Sequence, residues 1–176
     1  MNQKRLPPIF NPPESDEQTI WRYMDFTKFA SLLQKRSLFF VRSDLLLDLF
    51  EGSYPKANLV YKEAFKKELE ELIGDKAEQV VRDSERLRKL VRIWTYLSSW
   101  HMNNHESAAM WKVYSQSQEA VAVKSTYRSL RNVLPININI GTVSYIDFET
   151  EAIPEVNFLY PFMYKRMSYS YENELR

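Results

Sequence analysis

Two long amphipathic stretches in the middle of the chain, residues 61–73 and 77–97, constrain the fold more than any other feature. Phe65, Leu69, Leu72 and Ile73 form an apolar stripe at helical spacing in the first. Val80, Leu87, Leu90, Val91 and Trp94 do the same in the second. Most of the charged side chains lie on the other faces, which reads as solvated helix surface. Neither stretch has the period of a strand, so any sheet must be built from the sequence on either side.

That flanking sequence is short, aromatic and strand-like. Residues 20–24 read as a strand. Asp25 or Thr27 can cap a helix over 28–34, with Phe29, Leu32 and Leu33 on one face. Residues 37–41 read as a second strand, and 44–50 as a helix ending near Gly52. Beyond the helical block, 107–114 reads as a short helix, 120–124 as a strand and 126–133 as a helix. Residues 136–146 read as a strand or a bent pair around Gly141. An acidic loop over 147–157, an irregular aromatic stretch over 158–164 and an extended final segment complete the chain. This order predicts an α+β fold: a short mixed or antiparallel sheet with a central helical insert. Residues 1–17, proline-rich and polar, read as an extended arm, and 18–176 as one α+β domain.

Composition excludes several classes of function. The chain has three glycines, Gly52, Gly74 and Gly141, far apart. It therefore lacks a glycine-rich phosphate loop and the dinucleotide fingerprint of doubly wound folds. It has no cysteine, so disulfides, a thiol nucleophile and Cys-ligated metals are excluded; this suits a reducing cytoplasm. Its 24 basic and 23 acidic residues nearly balance, so charge does not indicate nucleic acid or a membrane as partner. No apolar run approaches the ~18 residues that span a bilayer. The first residues have no signal-peptide core.

Four places carry chemically suggestive residues. Trp21-Arg22-Tyr23 lies in the first strand, where an arginine needs a carboxylate or an anionic ligand; a structural salt bridge to Glu172 or Glu174 would serve. Asp44, Asp48 and Glu51 could bind a metal or cap helices. The densest stretch runs from Trp100 through His101, His105, Glu106 and Ser107 to Met110, Trp111 and Tyr114. Trp111 lies one turn from both Ser107 and Tyr114. Aromatic faces beside polar groups suit a planar ligand such as a nucleobase or nicotinamide, or else form a core cluster beside a capped helix. The two histidines have spacing for chelation on a helix, but the asparagines between them suggest a loop and no third soft ligand exists, so no metal is expected. Last, Tyr171-Glu172-Asn173-Glu174-Leu175-Arg176 holds a Glu-x-Glu pair. On an extended segment both carboxylates share a face, which marks either a site or an exposed strand end.

Taken together, these motifs resemble a bacterial and phage-associated family of domains of unknown function. The resemblance rests on Trp21-Arg22-Tyr23, Leu38-Phe39-Phe40, Asp48-Leu49-Phe50-Glu51-Gly52, Trp100, Glu106-Ser107, Met110-Trp111 with Tyr114, and Lys165 followed by Tyr171-Glu172-Asn173-Glu174-Leu175-Arg176. It covers nearly all of the chain beyond the arm. Leu49 stands where such proteins usually have proline, and similar proteins continue with further strands after the Glu-x-Glu-x-Arg, which implies a C-terminal truncation.

The layout is also similar to that of ADP-ribosyltransferases, and that similarity implies NAD as cofactor and a role in phage defence or as a toxin. It assigns NAD binding to Arg22, stacking to Tyr23 or Trp111, and support of the ligand to Trp100, Glu106 and Ser107. Glu174 becomes the carboxylate that stabilises the oxocarbenium-like transition state, and Glu172 orients the acceptor. The competing expectation is a non-catalytic sensor or binding module for a small nucleotide or a peptide. The two separate on whether Arg22, Trp111 and Glu174 share one cleft.

Overall fold

A computed structural model describes residues 9–114 and 119–176. The strands are β1 (Thr19–Asp25), β2 (Val41–Arg42), β3 (Tyr96–Leu97), β4 (Trp100–Met102), β5 (Ala120–Thr126), β6 (Ser144–Ile146), β7 (Tyr164–Arg166) and β8 (Glu174–Leu175). The helices are α1 (Phe26–Lys35), α2 (Ala57–Ile73), α3 (Ala77–Trp94), α4 (Ala108–Tyr114) and α5 (Tyr127–Val133). The fold is α+β, as the alternation of short strands with a helical block predicts. The chain divides into two compact units. Among the described residues, one lies within 1–40, 98–143 and 168–176, and the other is 41–97 and 144–167.

The first unit is built on an antiparallel sheet in the order β5-β1-β4-β8. β1 pairs along its whole length with β5, from Thr19 opposite Thr126 to Asp25 opposite Ala120. On its other edge Ile20 lies opposite Met102 and Trp21 opposite His101. β4 in turn sets Trp100 against Leu175 and His101 against Glu174. Beyond β8, Gly141 and Arg176 exchange both backbone hydrogen bonds, at 2.8 and 2.9 Å. Gly141 is required there: a Cβ would lie 2.5 Å from the Phe10 Cβ and 3.0 Å from the Asn11 carbonyl oxygen.

Because side chains alternate along a strand, this register sorts the sheet into two faces. One face carries the apolar core, with Ile20, Trp100, Met102 and Leu175 packed on Tyr127, Leu130 and Ile140. Tyr127 and Leu130 are brought there by local chemistry: Thr126 ends β5 in extended backbone and its hydroxyl accepts the Ser129 N–H, capping α5. The other face carries Trp21, Tyr23, His101 and Glu174, and α4 packs against it.

The second unit holds the α2–α3 hairpin, the β2–β3 ladder and the parallel β6–β7 pair. Asn58 anchors α2: its amide donates to the Ile153 carbonyl and accepts the Ile153 N–H. Ser43 is fully buried and its hydroxyl donates to the Arg92 carbonyl at 2.6 Å.

Several local expectations are corrected. Residues 37–41 form no strand beyond Val41, which pairs with Leu97. Residues 44–50 are not a helix but a 3-10 turn over Ser43–Leu45 followed by turns. The Asp48 carboxylate accepts the Phe50 N–H at 3.0 Å, a local bond that competes with the helical ladder. It also accepts from Arg166 at 2.8 Å. Gly52 then turns the chain at φ 70°. α3 stops at Trp94, because Thr95 is extended and Tyr96–Leu97 joins β2. The C-terminal segment is not extended throughout: 3-10 turns cover Met167–Glu172, and Asn173 sits at φ 38° before β8.

Ile20 is fully buried at the centre of the sheet. Replacing it by alanine removes transfer energy and leaves a cavity, so Ile20→Ala is expected to lower the unfolding free energy of this unit by about 2–5 kcal/mol. Urea denaturation followed by far-UV circular dichroism measures that loss.

Candidate functional site

The side of the sheet facing α4 gathers most of the polar residues that the sequence singles out. Tyr23 is buried on β1, with its ring 5.0 Å from that of Trp111 in an edge-on arrangement and 6.2 Å from that of His101. Its hydroxyl accepts the Ser107 N–H at 2.8 Å, which ties the start of α4 to the sheet. One turn into α4, the Trp111 indole N–H donates to Glu106 Oε2 at 3.0 Å. Burial raises the Tyr23 phenol above its ordinary value, and the charge of Glu106 adds to that, while the Ser107 N–H works against it.

Deeper on the same side lie the two C-terminal glutamates. Glu172 and Glu174 are 3% and 2% exposed, so neither is a solvated strand end. Glu174 Oε2 lies 2.7 Å from the equally buried Arg176 Nη2. The Tyr114 hydroxyl donates to Glu172 Oε1 at 3.3 Å. His101 Nδ1 is 2.6 Å from the Glu172 carbonyl oxygen; a carbonyl only accepts, so Nδ1 carries the proton. Burial, then the charges of Glu172 and Glu174, hold the Tyr114 phenol far above the ordinary tyrosine range.

The strand alternation that would place Glu172 and Glu174 on one face does not operate here, since a left-handed Asn173 separates a 3-10 turn from β8. The two carboxylates reach the same region through that turn instead.

Arg22 and Trp100 lie elsewhere. Arg22 alternates with Tyr23 and so belongs to the core face. It donates to the Phe39 carbonyl at 2.7 Å and the Ser98 hydroxyl at 2.9 Å, with its guanidinium carbon 5.7 Å from the Trp100 ring centroid. The expected salt bridge of Arg22 to Glu172 or Glu174 is replaced by these two neutral acceptors. Burial lowers the Arg22 pKa from its ordinary value. The structure thus brings together Tyr23, Glu106, Ser107, Trp111, Glu172 and Glu174, and sets Arg22 and Trp100 on the opposite face.

The three acids singled out after the second strand, Asp44, Asp48 and Glu51, have cationic partners. Asp44 accepts two bonds from Arg42, Asp48 one from Arg166, and the buried Glu51 lies 3.9 Å from the buried Lys165. The Asp48–Glu51 turn and the Lys165-Arg166 dipeptide are therefore one structural clasp. Among the described residues no group of three or more His, Asp and Glu side chains is arranged to hold a metal ion. His101 lies in β4 and His105 in an exposed turn whose N–H bonds the Asn103 side chain, so they are not successive on a helix. None of the helices among the described residues is long and apolar enough to cross a membrane.

No family model, curated protein or solved structure matches this chain.

Two contacts of the site have no signal in the sequence, although Trp21 and Tyr114 themselves are singled out there. The Trp21 ring shares the α4 side of the sheet; Lys124 Nζ lies 5.1 Å from its centroid and its indole N–H donates to the Asn103 carbonyl at 2.8 Å. Tyr114 serves as the donor to Glu172, a residue 58 positions away for which no spacing rule gives a signal.

The buried pair and the buried phenol make two measurable claims. Arg176→Met removes the guanidinium facing Glu174 and leaves a carboxylate in the interior, which is expected to cost about 3–5 kcal/mol in chemical denaturation. The Tyr114 phenol binds its proton more tightly folded than unfolded, so its contribution is complete below the ordinary tyrosine pKa of about 10 and is lost as pH rises beyond it. Stability should fall above about pH 10, and Tyr114→Phe should flatten that fall in thermal melts taken across the alkaline range.

Proposed function

We propose that this chain is a non-catalytic binding module for a small nucleotide, recognised on the Trp111–Glu106 edge of α4. The observation that carries this reading is the separation of Arg22 from Glu174 across the sheet. A transferase of the kind the sequence resembles needs a cation and a carboxylate on one NAD molecule. Here the cation is tied into the core face by the Phe39 carbonyl and the Ser98 hydroxyl, and Glu174 is buried against Arg176.

The partly exposed Trp111 is better suited to a ligand. It offers an aromatic surface held rigid by Tyr23 beneath it, and the exposed Glu106 beside it supplies a carboxylate that accepts from a base amino group. Stacking of one base on such a ring is worth about 1–3 kcal/mol. Trp21 with Lys124, on the same side of β1 and β5, adds a second aromatic surface and a cation for a phosphate.

The NAD-dependent transferase reading keeps one observation in its favour: Tyr23, Trp111, Glu172 and Glu174 share a side of the sheet. Calorimetric titration separates the two. NAD and AMP are titrated into the purified chain and into Trp111→Ala, Arg22→Ala and Glu174→Gln, with ADP-ribosyl transfer from labelled NAD assayed in parallel. Saturable binding that disappears with Trp111→Ala, survives Arg22→Ala and comes with no transfer is the expected outcome. Transfer abolished by Glu174→Gln in a folded variant would establish the enzyme instead. No binding of either nucleotide would remove both.

A further inference from the structure

The α2–α3 hairpin keeps an uncovered apolar stripe on each helix. Tyr61, Phe65 and Leu72 on α2 are 63%, 52% and 79% exposed. On α3, Val80, Leu87 and Trp94 recur every seven residues at 41%, 39% and 68% exposure. A seven-residue apolar repeat is the spacing of a helix that packs along another helix. Only Asn58 and Ala77 of these two helices are fully buried, so packing within the chain does not account for either stripe. Apolar surface of this extent, edged by charge, marks an interaction site.

The charges say what covers it. From Glu68 through the turn to Asp83 the hairpin tip carries six acids and two bases. The stem, residues 62–67 and 84–92, carries seven bases and two acids, one of which, Glu85, is paired with Lys62. The order of charge is reversed between the helices, basic then acidic in α2 and acidic then basic in α3. Antiparallel pairing of the two helices therefore adds like charges at each end instead of cancelling them. The hairpin is an electric dipole whose best complement is the same dipole turned end for end.

We infer that two copies of this chain associate through their hairpins, tip against stem, in an antiparallel dimer related by a two-fold axis. Each acidic tip then meets a basic stem twice over, and the stripes of the two copies face each other. A two-fold interface is isologous, so one self-complementary surface suffices. Parallel docking would set tip on tip and stem on stem, and like-charge juxtaposition opposes it.

Light scattering on the purified chain tests this. The wild type should run at twice the 21.0 kDa chain mass and dissociate as salt rises. Leu72→Glu with Leu87→Glu should give the monomer mass with an unchanged circular dichroism spectrum, because both side chains are exposed. Orientation is read separately. The chain has no cysteine, so Asp75→Cys places a single thiol at the hairpin tip. That variant should not cross-link to itself under oxidation, whereas mixed with Trp94→Cys it should give a disulfide-linked dimer. A monomeric wild type, a dimer that survives the Leu72→Glu, Leu87→Glu pair, or rapid self-linking of Asp75→Cys would each overturn the inference.

Discussion

Everything in the first unit depends on β1 having a hydrogen-bonded neighbour on both edges. A strand paired on one side leaves a row of backbone groups unmatched; this one lies between β5 and β4, with seven residue pairs to the first and two to the second. Once Ile20 is committed to the core, period-two alternation sends Arg22 to the same face and Trp21 and Tyr23 to the other. A one-residue slip would exchange the two sets and expose Ile20, so burial of that single side chain holds the arrangement of the site residues.

The polar side of the sheet is where the cost of this arrangement lies. Two carboxylates and a guanidinium are withdrawn from water around Glu172, Glu174 and Arg176. Charges in such a place must be met by partners, and they are: Arg176 meets Glu174, Tyr114 donates to Glu172, and His101 donates to the Glu172 backbone. A network of this kind fixes β8 and α4 against the sheet and presents Trp111 on a rigid base. It also occupies the glutamates, which is why the exposed chemistry lies at Glu106, Trp111, Trp21 and Lys124 and not at the Glu-x-Glu pair.

In the second unit the same acid–base complementarity acts at two scales. Close up, Arg42 with Asp44, Arg166 with Asp48 and Lys165 with Glu51 fasten turns that have few apolar contacts of their own; Leu47 and Leu49 in that stretch are 95% and 83% exposed. Along the hairpin, acids gather toward the tip and bases toward the stem, and Lys62 with Glu85 is an ion pair between the two helices. Individual ion pairs on its surface, such as Arg82 with Glu78, contribute little because water screens them. The summed dipole acts over a longer range and selects orientation more than it adds stability.

What the sequence determined by itself was local. Helical periodicity in 61–73 and 77–97, the strand at Ile20 and the short helices over 107–114 and 126–133 are written in spacing, and a short-range signal survives folding wherever tertiary contacts agree with it. It failed at 44–50, where the apolar pattern suggests a helix but Asp48 bonds the Phe50 backbone, and at 95–97, where pairing with β2 ended the helix. The C-terminal carboxylates were recognisable as a pair, yet their shared side came from a left-handed Asn173 and not from strand alternation. Tertiary structure alone decided which side of the sheet each site residue took. That choice depends on which face is buried and on partners far away in the chain, such as Trp21 with His101 and His101 with Glu174. Pairings of this kind arise from burial and register across the whole sheet, and no local spacing encodes them.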